Sequence, residues 1–283
     1  MSGFNEENWK LEKTESIWVR PGKQPSLTDP VPLISLLRVR NEELILEDTL
    51  AHLASFSDFI CAYDDASTDK TRAILKAHEK VILIVQNDFW QAGVESRLLA
   101  ETRHRGLLLQ EARKIAAFRW CMCCDADERY IGSIRNFVTQ PVEDKPDAIR
   151  IRLFDAYMTE GDDRPYLDGM RLKDFRRFFG PECRDILMLW RNSNMAHFVG
   201  LDSREPVIKG RIEPKFLCQH YGKSLSYEHW EDTCEYYVKN FPFDTYGKKW
   251  ASRKGKALHV KSDFDRPLFE WGEALFENAV KIY

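Results

Sequence analysis

The sequence predicts an α/β protein: a mostly parallel sheet flanked by helices, followed by a C-terminal helical subdomain. Three observations lead there. Short apolar runs alternate with helical patterns from residue 31 to residue 125, and such alternation builds parallel sheets with right-handed crossovers. The runs are apolar throughout, as strands buried on both faces are. The last of them ends in Cys124-Asp125-Ala126-Asp127-Glu128, where the carboxyl ends of an open α/β sheet form its ligand crevice.

Residues 1–30 are polar, with Pro21, Gly22, Pro25 and Pro30, and read as an extension that wraps the domain or frays. Residues 31–37 form the first buried strand, ending at Arg38-Val39-Arg40-Asn41-Glu42. A helix follows with Leu46, Leu50 and Leu53 on one face. A second strand, 58–63, stops at Asp64-Asp65-Ala66-Ser67-Thr68-Asp69. Ser67 is the expected N-cap of the helix through Ala73, Ile74 and Leu75, with Asp69 at its positive end. Residues 81–85 are a third strand, and a long helix over 95–117 leads into the strand before Asp125. Beyond it, 148–154 alternates like a half-exposed strand, and 186–190, 198–201 and 216–218 are shorter candidates. From Tyr227 onward the chain reads as helical and aromatic, with Trp230, Tyr236, Tyr237, Trp250 and Trp271. The expected organisation is an extension over 1–30, one domain over 31–225, and a helical segment over 226–283 packed on it.

The bulk properties narrow the class. A chain of 283 residues with 43% hydrophobic content suits one large α/β domain with an appendage. A net charge of −3 argues against a nucleic-acid binder held by phosphate contacts. The seven cysteines read as reduced core thiols. Cys121-Met122-Cys123-Cys124 does not suit zinc, because neighbouring strand residues point to opposite faces and no second paired-cysteine site follows. No stretch approaches the roughly 18 apolar residues of a membrane span, and the acidic N-terminus is not a signal peptide. A cytoplasmic protein is expected, with peripheral docking to a membrane compatible with it.

The chemistry concentrates at strand ends. Asp125 and Asp127 face one side of a strand, roughly 6–7 Å apart. Two such carboxylates repel unless a cation or hydrogen-bond donors lie between them. A hard divalent ion takes oxygen ligands, one aspartate directly and the other through water; the chemistry suggested is a metal holding a phosphate. An acidic turn that caps the next helix is the plain alternative. Asp64 and Asp65 line the same crevice edge and suit a base N–H or a ribose hydroxyl, although one of them is expected simply to cap. Arg38 and Arg40 follow the first strand, and Arg97, Arg103 and Arg105 stud the long helix. Guanidinium forks match phosphate oxygens, and Arg103 and Arg105 are the expected ligands because their helix crosses beneath the crevice. His220 offers a third, nitrogen ligand to the ion, or a structural hydrogen bond. A general base for a hydroxyl acceptor is sought among Glu205, Asp202, Asp155, Asp174 and Asp185. Residues 160–165 read as a lid or an ordinary exposed loop.

Together these segments resemble the nucleotide-sugar glycosyltransferases of the GT-A (Rossmann-like) fold, in the manner of glycosyltransferase family 2. The residues that carry the resemblance are Arg40-Asn41-Glu42, Asp64-Asp65-Ala66-Ser67-Thr68-Asp69-Lys70-Thr71, and Asp125-Ala126-Asp127-Glu128, which looks like the family's DxD motif. The likeness covers residues 31–130 well, and His220 through Trp230 less specifically. It implies a nucleoside-diphosphate sugar, most often a UDP-sugar, with Asp64 reading the uracil. Asp125 and Asp127 would bind the ribose and the Mn²⁺ or Mg²⁺ on the diphosphate, with Ala126 between them and His220 joining the metal. It further implies inverting transfer to a hydroxyl of a glycan, a lipid-linked acceptor or a protein. The family's commoner glycine after the aspartate pair is Ala66 here, and no clear match to its base motif is present. A sugar nucleotidyltransferase would show a glycine- and lysine-rich loop after the first strand, and a dehydrogenase a GxGxxG. A non-catalytic sugar-binding or scaffold module would use the aromatic C-terminal part as a partner surface.

Overall fold

The computed structural model describes residues 9–22, 25–141 and 144–282; the first eight residues of the expected extension lie outside them. The chain begins with β1 (Glu15–Val19), then β2 (Val31–Val39), α1 (Leu46–Ala54), β3 (Phe59–Asp65), α2 (Thr71–Ala77), β4 (Val81–Asn87), α3 (Val94–Ile115) and β5 (Phe118–Asp125). Strands β4, β3, β2 and β5 lie side by side and parallel, as the alternation predicts. Side chains of β2 alternate between two cores, with Leu33, Leu37 and Val39 on one face and Ile34 and Leu36 on the other. Helix α1 covers the first face with Leu46, Leu50 and Leu53, each contributing about 1.5–3 kcal/mol by its burial. Cys121 and Cys123 point to one core and Cys124 to the other, all free and buried.

A mixed half continues the sheet: β6 (Glu128–Ile131), α4 (Ile134–Thr139), β7 (Ala148–Tyr157), β8 (Phe178–Arg191) and β9 (Ile212–His220). β8 runs antiparallel to β5 and β7, β9 parallel to β7, and β6 antiparallel to β9. The chain closes with α5 (Tyr227–Asn240), a π-helical turn (Phe243–Gly247), α6 (Lys248–Ala251), β10 (Phe269–Glu270), α7 (Glu273–Glu277) and β11 (Val280–Ile282).

Several expectations need correction. The extension packs against the domain, as one of its two expected behaviours, but does so through an unforeseen strand, β1, which pairs antiparallel with β4 and covers the sheet edge; its Ile17, Trp18 and Val19 are strand formers that the surrounding polar residues obscure. The strand expected at 186–190 is the end of the fourteen-residue β8, whose Arg184 and Asp185 break the apolar pattern. Residues 198–201 are irregular, with Val199 and Leu201 exposed. The C-terminal segment is not helical throughout, since β10 and β11 both pair with β8. The 160–165 loop is fastened by the buried Arg176, which donates to the Asp162 and Arg164 carbonyls at 3.0 and 2.8 Å.

Ser67 does not cap α2. Its Oγ accepts the Asn41 N–H at 2.9 Å, and the Asn41 side chain in turn accepts the Thr68 N–H at 2.8 Å. Glu42 N–H donates to Thr71 Oγ1 at 2.7 Å, and Asp69 accepts both the Glu43 and the Thr71 N–H. The polar string after β3 thus ties two strand-end loops together, and the Asp69 carboxylate, rather than Ser67, meets the first N–H of the helix, that of Thr71. Asn41 and Ala66 take left-handed φ values of 54° and 58° within these loops, a conformation costly for a side-chain-bearing residue and held by the surrounding bonds.

Candidate active site

A cleft of 790 Å³ opens where β2 and β5 end, the edge at which open α/β sheets hold ligands. Its walls come from Arg38 of β2, Arg40 and Glu42 just after it, Glu101 and Arg105 of α3, Asp125 to Asp127, Arg184 of β8 and His220 of β9. The 202–204 loop adds Asp202 and Arg204, and Tyr236, Tyr237, Phe241 and Tyr246 make an aromatic wall. The loop is pinned to α3 because Asp202 N–H donates to the Leu98 carbonyl at 2.7 Å and Ser203 N–H to Thr102 Oγ1 at 2.9 Å.

Carboxylates and guanidinium groups interleave across the cleft floor. Arg38 pairs with Asp65 at 3.1 Å and Glu101 at 2.6 Å. Arg105 bridges Glu101 and Asp125, the latter at 3.1 Å. Arg204 reaches Asp125 at 3.2 Å and also pairs with Glu128. Asp125 is therefore held between two arginines. Burial raises the Glu101 carboxyl, but Arg38 and Arg105 outweigh it and bring it to about 2. Arg40 differs from its neighbours: it has no carboxylate partner among the described residues, its Nε is buried without a hydrogen bond, and its guanidinium lies 4.6 Å from the Trp90 ring centroid.

Asp127 and His220 meet on the other side of Ala126. His220 Nε2 lies 3.2 Å from Asp127 Oδ2, and Nδ1 lies 2.6 Å from Asp155 Oδ1. Burial works against the imidazolium, but Asp127 and Asp155 prevail and raise the ring to about 9. Burial likewise pushes the Asp155 carboxyl up, and Arg184, Lys223 and His220 together hold it well below its ordinary range. Burial pushes Glu42 well above the usual carboxyl range, with Asp127 and Asp125 adding to it.

The site residues named from sequence separate accordingly. Arg38, Arg40, Asp65, Arg105, Asp125, Ala126, Asp127, Asp202 and His220 share the cleft. Asp64 does not line it; the carboxylate is fully buried on Arg72 at 2.7 Å. Arg103 points away, gripping Glu15 of β1 at 2.5 Å, because residues two apart on a helix diverge by about 200°. Glu205 forms a two-point pair with Arg150 at 3.0 and 2.6 Å outside the cleft. Asp155 lies behind His220 as its hydrogen-bond partner, Asp174 accepts from Gln219 and Asp185 pairs with Lys281. Sequence reading missed Glu42, Glu101, Arg184, Arg204 and the tyrosines at the cleft. Glu101 was within reach, since Arg97, Glu101 and Arg105 recur at helical spacing; the others arrive through long-range packing.

Among the described residues no three carboxylate, imidazole or thiol groups converge as a complete metal site. Asp127 Oδ2 and His220 Nε2 nevertheless form a two-donor start whose chemistry suits a divalent ion. Gly222 leaves them room: a Cβ there would stand 2.4 Å from Asp127 Oδ2 and 3.0 Å from His220 Nε2. To act as a ligand His220 gives up its Nε2 proton, and the Nδ1–H bond to Asp155 then fixes the ring.

No family model and no curated protein matches the chain. Among solved structures it is similar to the mannosyltransferase PcManGT from Pyrobaculum calidifontis, determined in complex with GDP-Man and Mn²⁺. The identity is 15%, over 82% of this chain and 67% of that one, with a TM-score of 0.39.

Proposed function

We propose that the cleft binds a nucleoside-diphosphate sugar together with a divalent ion and transfers the sugar to an acceptor hydroxyl. The observation that carries this reading is the Asp127–His220 pair, 3.2 Å apart, opening into the same cleft as the carboxylate-free Arg40. One supplies donors for a cation and the other a fork for phosphate oxygens. The ion, when bound, neutralises charge on the leaving diphosphate.

The chain's own residues account for the remaining tasks. Asp125, clamped by Arg105 and Arg204, is oriented to accept from the donor's ribose or from metal-bound water. Asp65, the last residue of β3, lines the cleft edge where the nucleoside is expected and is held there by Arg38 at 3.1 Å and Arg97 at 3.0 Å, while Asp64 is buried on Arg72 away from the cleft. Of the candidate bases only Asp202 lines the cleft, and burial raises its carboxyl above the ordinary value, as suits proton acceptance. As the acceptor oxygen bonds to the anomeric carbon and the bond to the diphosphate breaks, the hydroxyl proton passes to Asp202. The tyrosine wall limits water, the competing acceptor. A UDP-sugar donor, an inverting outcome and kinship with family 2 follow from the sequence resemblance, and the domain division at residues 31–225 is proposed with them.

Binding and slow hydrolysis across a panel of UDP-, GDP-, TDP- and CMP-sugars, with and without Mn²⁺, test the reading. Metal-dependent turnover of one class, abolished in Asp127→Ala, is expected; no nucleotide binding in the presence of metal overturns it.

A further inference from the structure

We propose that the loop following the aromatic wall docks the protein onto an anionic lipid surface. The chain carries a net charge of −3, which by itself repels such a surface. Residues 248–261 reverse the sign locally: they hold six lysines and arginines and no aspartate or glutamate. Arg253 turns inward onto Asp263 at 2.6 Å, while Lys248, Lys249, Lys254, Lys256 and Lys261 are exposed. Glu235 stands 3.9 Å from Lys254, Glu231 accepts the Gly255 N–H at 2.7 Å and Asp265 pairs with Lys261; these carboxylates offset part of the charge, and Lys248, Lys249 and Lys256 have no carboxylate partner among the described residues.

Apolar side chains stand among the lysines. Val260 is 94% exposed, and Leu258 and Phe264 are exposed at 42% and 48%. Lys249 Nζ lies 5.9 Å from the Phe264 ring centroid, which brings the two ends of the loop into one patch. The base of the loop is fixed rather than loose. Trp230 Nε1–H donates to the Arg253 carbonyl at 3.1 Å, and His259 N–H to the Met158 carbonyl at 2.9 Å.

A headgroup layer satisfies both features: lysines meet anionic phosphates while the apolar tips enter the acyl boundary. Nucleic acid would engage the lysines and leave Val260 bare. Lys248 follows Tyr246 of the cleft wall by two residues, so docking through the loop sets the cleft mouth beside the lipid surface. The inference goes beyond the proposed transfer reaction and does not depend on it.

Flotation with vesicles of phosphatidylcholine alone, or with about one-third phosphatidylserine, tests it. Recovery with the anionic vesicles alone is expected, falling as salt rises from about 0.05 M to about 0.5 M. Replacing Lys248, Lys249, Lys254 and Lys256 by glutamine weakens binding by about fivefold per lysine. Val260→Asp weakens it at every salt concentration. Both variants retain the wild-type unfolding midpoint, because the side chains changed are exposed, and both retain nucleotide binding. Absence of recovery with anionic vesicles, recovery indifferent to the lysine changes, or lysine-dependent binding to an oligonucleotide with none to vesicles overturns the proposal. Loss of nucleotide binding by the wild type counts against the catalytic reading alone.

Discussion

Tyr246 donates its hydroxyl proton to Asp202 at 2.7 Å across the mouth of the cleft. The tyrosine comes from the π-helical turn after α5 and the aspartate from a loop pinned to α3. The bond joins the proposed base to the aromatic wall and lowers a carboxyl that burial raises. Asp202 accepts a proton only when ionised, so turnover rises as pH climbs through its pKa. Tyr246→Phe removes a lowering influence, and the acid limb of the kcat profile moves to higher pH. Asp202→Asn reduces kcat by about 10²- to 10⁴-fold with donor affinity kept. An unmoved acid limb in the tyrosine variant removes Asp202 from the role of base.

Gly222→Ala is expected to damage metal use without unfolding the protein. The added Cβ falls 2.4 Å from Asp127 Oδ2, and the end of that side chain swings aside at little structural cost. The Mn²⁺ concentration needed for half-maximal activity rises while the thermal midpoint holds. A variant with wild-type metal response refutes the pairing of Asp127 and His220 as ligands.

Asp155→Asn reports on positioning. The carboxylate touches His220 Nδ1 at 2.6 Å from behind the cleft. Removing such support costs about 10- to 100-fold in metal affinity, measured by titrating Mn²⁺ into the variant. Loss of kcat at saturating metal with an unchanged metal requirement would instead make Asp155 part of the chemistry.

Arg40→Ala weakens donor binding by about 10- to 100-fold, the value of one charge-assisted contact of about 1.5–3 kcal/mol. Trp90→Ala, which removes the ring 4.6 Å from the guanidinium, moves affinity the same way by a smaller factor. Calorimetric titration of nucleoside diphosphate checks both, and an unchanged affinity in Arg40→Ala excludes phosphate contact.

His52 gives the fold a separate acid sensitivity. Tyr130 N–H donates to its Nε2 at 2.9 Å, and burial, reinforced by Arg129, lowers the ring from 6.5 to about 4. The folded protein prefers neutral His52, so its contribution is complete above the unfolded value. It is lost as pH falls toward the folded one, about 3 kcal/mol in all. His52→Phe flattens urea stability over that window; an identical pH slope in the variant refutes the assignment.

The parallel core and the strand end at Asp125 were legible because continuous apolar strands are a local signal; Asp125 and Asp127, expected on one strand face, are instead divided by a turn, Asp125 lying between Arg105 and Arg204 and Asp127 beside His220. Arg103 misled because sequence showed that the helix crosses the sheet but not its rotation, and Glu15 claims that side chain. Ser67 misled for a related reason: a serine before a helix suits a cap, yet the nearby Asn41 amide competes for it. Arg204 and Tyr246 left no trace, since their places depend on a loop and a turn that approach the strand ends only once the sheet has formed. Asp202 was one of several equivalent carboxylates until folding set it in the cleft.

The grip of Arg103 on Glu15 fastens the rear of α3 to the first strand, while Glu101 and Arg105 on the same helix face the cleft. None of the described residues before Arg38 lines that cleft. Even so, the rotational setting of α3, and with it the angle at which Arg105 meets Asp125, is anchored from behind by β1. Trimming the N-terminal arm would therefore detune a site it never touches, much as loosening a peg alters the pitch of a string sounded elsewhere.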